Sequence, residues 1–271
     1  MEEPKSVACI TGASSGIGAE FARQLAGKGY DLVLVARRKQ RLDDLASSLT
    51  DKYPIHVESF PADLSVEDEI KRVACHIQGL DRLEVLVNNA GFGIPGSFAA
   101  TPIDSSLTML SVHVLAVVRL THAALPGMTA RGAGYIINVS SLSAFTSALG
   151  NVMYSATKSF INGFSDALAT DLIGTGVKVQ ALCPGMTHTE FHSSPAYEKY
   201  RDPRRIPEFA WMTTEQVVKK SLNAIQHIRV IYVPGLGNQL IAFLGAIGWV
   251  RWFAKMYYKV TGKHPSEHLE E

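Results

Sequence analysis

The stretch Met153-Tyr154-Ser155-Ala156-Thr157-Lys158 places a phenol and an ammonium four residues apart. On a helix that spacing puts both groups on one face, a turn apart. A phenol held there can pass a proton to a developing alkoxide. A nearby ammonium favours phenolate and lowers the phenol's pKa from its usual value of about 10. The same spacing also occurs on ordinary helix surfaces, so other parts of the chain have to decide. A second constellation, His188-Thr189-Glu190-Phe191-His192, has two histidines flanking a glutamate. It is not H-E-x-x-H, and the glutamate stands at the wrong offset for a zinc hydrolase, so no metal site is expected.

Near the N-terminus, Thr11-Gly12-Ala13-Ser14-Ser15-Gly16-Ile17-Gly18 has the spacing G-x-x-x-G-x-G between an apolar run and a helical pattern. Small residues in such a loop let backbone N–H groups and a helix N-terminus approach a pyrophosphate. The plainer alternative is a tight strand-to-helix turn. Arg37-Arg38-Lys39-Gln40-Arg41 follows the next apolar run and opens a helix, where the macrodipole disfavours cations. At this point in a dinucleotide fold an acid bonds the ribose 2′-hydroxyl of NAD, whereas arginine accommodates the 2′-phosphate of NADP. No acid is present, so NADP(H) is the expected cofactor. Asp63 precedes Ser65-Val66-Glu67-Asp68, which reads as an N-cap at Ser65 with acidic residues in the first turn. The Asp63 carboxylate suits either the turn itself or an adenine amino group.

Positions so far apart need a frame that gathers them. Short apolar runs rich in Val, Ile and Leu recur at Val7–Ile10, Asp31–Ala36, His56–Phe60, Leu83–Val87, Tyr135–Val139, Val177–Leu182 and Val230–Val233. Helical patterns separate them, including one over Met153–Ile173 and one over Thr214–Gln226. Strands alternating with helices predict an α/β fold of the Rossmann type: a doubly wound, parallel seven-stranded sheet with helices on both faces. Ligands then bind beyond the carboxyl ends of the strands, where strand order reverses. The expected division is one domain over 1–235, with a substrate loop near 186–212, and a C-terminal extension over 236–271.

The motifs together resemble the short-chain dehydrogenase/reductase family in its single-domain branch. They are TGASSGIG at 11–18, Asp63-Leu64, Asn88-Asn89-Ala90-Gly91, the serine of NVSS, YSATK, and Pro184-Gly185. The resemblance implies that Tyr154 is the proton donor, that Lys158 tunes it and bonds the nicotinamide ribose, and that Ser141, thirteen residues before the tyrosine, holds the substrate carbonyl. It implies cofactor contacts from Gly12, Ser14, Ser15, Gly16, Ile17, Gly18, Arg37, Arg38, Asp63, Leu64, Asn89, Ala90, Gly91, Pro184, Gly185, Thr187 and Thr189, with Thr189 near the carboxamide. One position departs from the pattern. Where the family has an asparagine anchoring a water that leads protons to the lysine, this chain has His113, in Ser111-Val112-His113-Val114-Leu115. Either His113 serves that relay and makes turnover pH-sensitive near neutrality, or it is a core histidine with the relay bypassed.

The segments 142–153 and 186–212 contribute Leu142, Phe145, Leu149, Met153, Phe191, Phe209 and Trp211, which favours an apolar ketone or aldehyde substrate. Lys199, Arg201, Arg204 and Arg205 suit an acidic headgroup or, more plainly, a solvated loop. After Pro234-Gly235, the apolar run Leu240–Val250 is too short to span a membrane. Arg251, Lys255, Lys259 and Lys263 then recur every four residues among Trp252, Phe253, Met256, Tyr257 and Val260, which makes an amphipathic helix with a basic stripe. Its own domain, a second subunit and an anionic membrane surface all suit that helix. This tail is similar to that of a bacterial branch of the family sometimes labelled DltE-like. The resemblance also implies a homo-oligomer, dimer or tetramer. A net charge of +1 excludes a strong field toward nucleic acid. Three scattered cysteines without C-x-x-C pairing, and an acidic N-terminus, fit a reduced cytoplasmic protein.

Overall fold

A computed structural model describes residues 5–146, 150–191, 211–227 and 229–261. Seven strands, β1 (Val7–Thr11), β2 (Asp31–Ala36), β3 (Val57–Pro61), β4 (Leu83–Asn88), β5 (Gly134–Val139), β6 (Val177–Leu182) and β7 (Ile231–Tyr232), form one sheet in the order β3-β2-β1-β4-β5-β6-β7. Every pairing is parallel. Such a sheet must be covered on both faces, which is why its strands read as near-continuous apolar runs. Alternate residues feed two cores. Cys9, Val33, Val35, Leu86, Ile136 and Val179 face one side, while Ala8, Ile10, Leu32, Leu34, Val87 and Leu182 face the other. Strand order reverses between β1 and β4, so the ligand crevice lies at their carboxyl ends.

The helices are α1 (Gly16–Ala26), α2 (Lys39–Lys52), α3 (Glu67–Gln78), α4 (Ile103–Leu110), α5 (Ala116–Arg131), α6 (Ser143–Thr146), α7 (Val152–Asp171), α8 (Thr214–Ala224), α9 (Leu236–Ala246) and α10 (Trp249–Thr261). A π-helical turn, Ser111–Leu115, joins α4 to α5. The resulting helix, Ile103–Arg131, is apolar and long enough to cross a membrane by length and composition. Half of its apolar window is buried, as a helix packed against the sheet requires. Helix α8 begins with a full capping box, Thr213 and Gln216 each bonding the other's backbone N–H. The cap expected at Ser65 does not form. Val66 is the N-cap residue of α3, because Ser65 donates its hydroxyl to Asp63 at 2.7 Å instead of accepting from the helix.

In the C-terminal segment the break falls inside the apolar run, at Gly248 with φ of 82°. Helix α9 packs on α6: a Cβ added at Gly245 would lie 2.8 Å from the Phe145 carbonyl oxygen. It also flanks a cavity of about 310 Å³ beside the edge strand β7, lined among others by Phe145, Tyr232, Gln239 and Phe243. Helix α10 leaves Trp252, Met256, Tyr258 and Val260 exposed, with Lys255 and Lys259 alongside.

Candidate active site

The glycine loop closes the end of β1 and starts α1. Gly12 has φ of 66°, and an added Cβ there would meet Asn89 Nδ2 at 2.7 Å and Ala90 Cα at 2.8 Å. The loop therefore lies directly on the end of β4. Thr11 ties the two: its hydroxyl accepts from the Asn89 and Ala90 N–H groups at 2.9 and 3.1 Å, and donates to the Val87 carbonyl. Asn89 donates its amide to the Thr11 carbonyl at 2.9 Å. Helix α1 has no side-chain cap and no acid in its first turn, so its terminal N–H groups suit an anion. This donor set fits a dinucleotide pyrophosphate.

Helix α2 likewise opens without an acid in its first turn. Arg38 reaches back to the loop, donating to Ser14 Oγ at 2.9 Å and Ser15 Oγ at 2.8 Å. Arg37 stands 4.0 Å from Asp63. One Asp63 oxygen is taken by the turn, accepting from the Ser65 N–H at 2.9 Å as well as from its hydroxyl. Partial burial pushes the Asp63 carboxyl up, but the Ser65 bonds and Arg37 outweigh it and leave the pKa lowered. Leu64 is buried in the core. Thr187 is also buried and its hydroxyl donates to the Gly185 carbonyl at 3.0 Å. Thr189 faces the glycine loop, its methyl 3.2 Å from where a Gly16 Cβ would stand.

Across the crevice, α7 carries Tyr154 and Lys158. Its placement is fixed by a buried polar chain: Asn88 donates to Asn138 Oδ1 at 2.9 Å, and Asn138 donates to Ser165 Oγ at 3.0 Å, linking β4, β5 and α7. Ser141, just past β5, accepts from the Ser143 N–H at 3.1 Å and stands close enough to the Tyr154 phenol to pull its pKa down. Lys158 Nζ lies 5.7 Å from the Tyr154 ring centroid and donates to the Val139 carbonyl at 2.7 Å. Burial pushes the Tyr154 phenol up to about 12, against a downward pull from Ser141. Burial likewise lowers Lys158 to about 8. The expected depression of the tyrosine is therefore not seen in the free protein. Desolvation dominates, and the lysine is turned toward a backbone carbonyl rather than the phenol oxygen.

A family model for the short chain dehydrogenase matches residues 6–198. The chain belongs to the short-chain dehydrogenase family. Its sequence is 39% identical over 185 residues to a sulfoacetaldehyde reductase of Chromohalobacter salexigens, covering 67% of this chain and 72% of that one. Its fold is similar to a short-chain dehydrogenase from Sphingobium yanoikuyae in complex with NADPH, with a TM-score of 0.80 and 33% identity over 91% of this chain and 95% of that one. It is also similar to the bulky-bulky ketone specific alcohol dehydrogenase from Comamonas testosteroni, with a TM-score of 0.76 and 31% identity over 85% and 86% of the two chains.

Within this short-chain dehydrogenase, the π-helical turn delivers His113 to the interior, beside Gly91 and Lys158. A Cβ added at Gly91 would lie 3.0 Å from His113 Nε2 and 3.6 Å from Lys158 Nζ. The imidazole's hydrogen bonds fix its tautomer. Nε2 accepts from the Phe92 N–H at 3.0 Å, so the proton sits on Nδ1, which meets Thr157 Oγ1 at 3.0 Å. Thr157 spends its own proton on the Tyr154 carbonyl. Burial, and then the Lys158 ammonium, hold the pKa of His113 well below 6.5. Both causes favour the neutral ring near pH 7, since a second cation buried beside Lys158 is costly.

Two residues that hold the site together, Thr11 and Thr157, were not singled out by sequence reasoning. Thr11 counted only as part of a spacing. Thr157 lies inside the YSATK motif but carries the His113 link. Phe191 packs on Tyr154 with ring centroids 5.7 Å apart. Glu190 accepts from Arg38 and Arg41. His188 stacks on Trp211 at 4.8 Å between centroids, and the described residues hold no group of three metal-ligating side chains. His192, Leu149, Lys199, Arg201, Arg204, Arg205, Phe209 and Lys263 lie outside the described residues.

Proposed function

We propose that this protein reduces an apolar ketone or aldehyde to the alcohol with NADPH. Tyr154 is the proton donor, Lys158 the charge beside it, and Ser141 the anchor of the carbonyl oxygen. The observation that carries the reading is that Ser141 stands beside the buried Tyr154 phenol, with the buried Lys158 one helical turn on and 5.7 Å from the ring. Gly12, Ser14, Ser15, Gly16, Ile17, Gly18 and the α1 N-terminus would hold the pyrophosphate. Arg37 and Arg38 would hold the 2′-phosphate, and Asp63 the adenine. Asn89, Ala90, Gly91, Pro184, Gly185, Thr187 and Thr189 would flank the nicotinamide half. When bound, the nicotinamide supplies the hydride.

The chain's own part is proton handling. Ser141 and the Tyr154 hydroxyl both point donors at the carbonyl oxygen, and Tyr154 releases its proton as charge develops there. Lys158 stabilises the phenolate left behind. His113, neutral and held from both nitrogens, fixes Thr157 and with it the turn of α7 that carries Tyr154; this is a positioning role. In the reverse direction the Tyr154 phenolate takes the alcohol proton, so an NADP-linked alcohol dehydrogenase uses the same groups. Phe191 beside Tyr154, and Phe145 under α9, support an apolar substrate body. The bulky ketone named for the Comamonas testosteroni relative agrees with this. Helix α10, with cations and no acid between residues 216 and 266, supports an anionic membrane surface as its partner. A two-fold self-contact would set like charges against each other.

Fluorescence titration with NADPH and NADH tests the cofactor reading without knowledge of the substrate. Tight NADPH binding is expected, lost on Arg37→Asp with Arg38→Ala and kept on Tyr154→Phe, which abolishes only turnover. Equal binding of the two cofactors would remove the NADP assignment.

A further inference from the structure

Glu190 sits where two guanidinium groups converge at the mouth of the glycine loop. Arg41 Nη1 donates to both of its oxygens, at 2.6 and 2.8 Å. Arg38 Nη1 donates to Oε2 at 3.1 Å, while the rest of the Arg38 fork is bound to Ser14 and Ser15. The Glu190 carboxyl is held below its usual range, first by the Arg41 bond. This carboxylate comes from the segment after β6, whereas its partners come from the start of α2, on the far side of the reversal in strand order. It therefore bridges the crevice that a cofactor must enter.

We propose that Glu190 is an internal competitor for the cofactor's 2′-phosphate, occupying guanidinium N–H groups that the phosphate needs. The inference rests on the NADP reading above and adds a specificity-determining residue to it. A phosphate monoester brings three acceptor oxygens and about −1.5 to −2 charge, against two oxygens and a single charge for a carboxylate. The phosphate therefore displaces Glu190 from the two arginines. The 2′-hydroxyl of NAD(H) has no charge with which to do so. The exchange also reaches the segment beside the reacting groups. Thr189, beside Glu190, rests on the glycine loop, and Phe191, on its other side, packs on Tyr154. Taking Arg38 and Arg41 away from Glu190 releases one tie of this short segment, which the His188 N–H to Met212 carbonyl bond at 3.1 Å still holds.

The test is calorimetric titration of the full chain at low salt with adenosine 2′,5′-bisphosphate and, separately, adenosine 5′-monophosphate. Glu190→Gln keeps the shape and removes the competing charge at an exposed position, and an unchanged melting temperature certifies the fold. Tighter binding of the bisphosphate by roughly 1.5-fold to fivefold is expected, the scale of half-exposed ion pairs, with the monophosphate unchanged. The gain should shrink when Arg41→Gln is added, since one of the two contested groups is then gone. If Glu190→Gln leaves the bisphosphate unchanged, or tightens both ligands equally, the competitor role is overturned while the NADP reading stands. If the wild-type chain binds the bisphosphate no better than the monophosphate, the NADP reading itself has failed.

Discussion

Replacing His113 by Asn separates a buried neutral imidazole from a titrating relay. In the fold His113 accepts from the Phe92 N–H and meets Thr157, and it stays unprotonated well below pH 6.5. The unfolded chain's histidine takes a proton at about 6.5. Below that pH the unfolded state therefore binds one more proton at this residue than the native state. The stability linked to His113 is fully present above the unfolded pKa and is lost as pH falls toward the folded one. One proton is worth about 1.36 kcal/mol per pH unit, which sets the steepest slope that this loss can have below pH 6.5. Asn has no such proton. At pH 7.5 the variant should be the less stable by about 1 to 3 kcal/mol, because the shorter side chain cannot keep both buried partners satisfied. That gap should narrow by the linked amount on going to pH 5. Urea unfolding of both proteins at half-unit steps from pH 5 to 8 measures it directly. Parallel stability curves would refute the buried neutral histidine. The pH profiles of turnover between 6 and 8 should keep the same shape in both proteins.

Two other outcomes follow from the charge pattern. Lys158 at about 8 loses its proton as pH rises through that value, while Tyr154 at about 12 keeps its own. With NADPH saturating and any reducible carbonyl, kcat/KM should fall above about pH 8, approaching tenfold per unit. A plateau to pH 9.5 would remove Lys158 from the proton step. The basic stripe of α10 should carry the full chain onto vesicles of anionic lipid but not zwitterionic lipid. Lys255→Glu with Lys259→Glu should release it, and equal sedimentation with both lipids would dismiss the electrostatic contact.

The strands and the principal helices were legible in the sequence because a parallel sheet buried on both faces demands unbroken apolar runs, and glycine punctuates the loop between β1 and α1. The Tyr154–Lys158 spacing was legible for the same local reason, since a helical turn fixes which residues share a face. Nothing local could say which charged groups meet. Glu190 reaches Arg38 and Arg41 from 152 and 149 residues away, through the return of β6 beside β5. Cation spacing alone therefore gave NADP without its competitor. The π-helical turn at Ser111–Leu115 left no mark in the periodicity, and with it went the direction in which His113 points. The electrostatic outcome at Tyr154 and Lys158 was likewise decided by packing. Sequence placed an ammonium near a phenol and suggested a lowered phenol pKa. The tertiary fold buried both groups, and desolvation raised the phenol and lowered the amine, because removing water penalises the charged form of each.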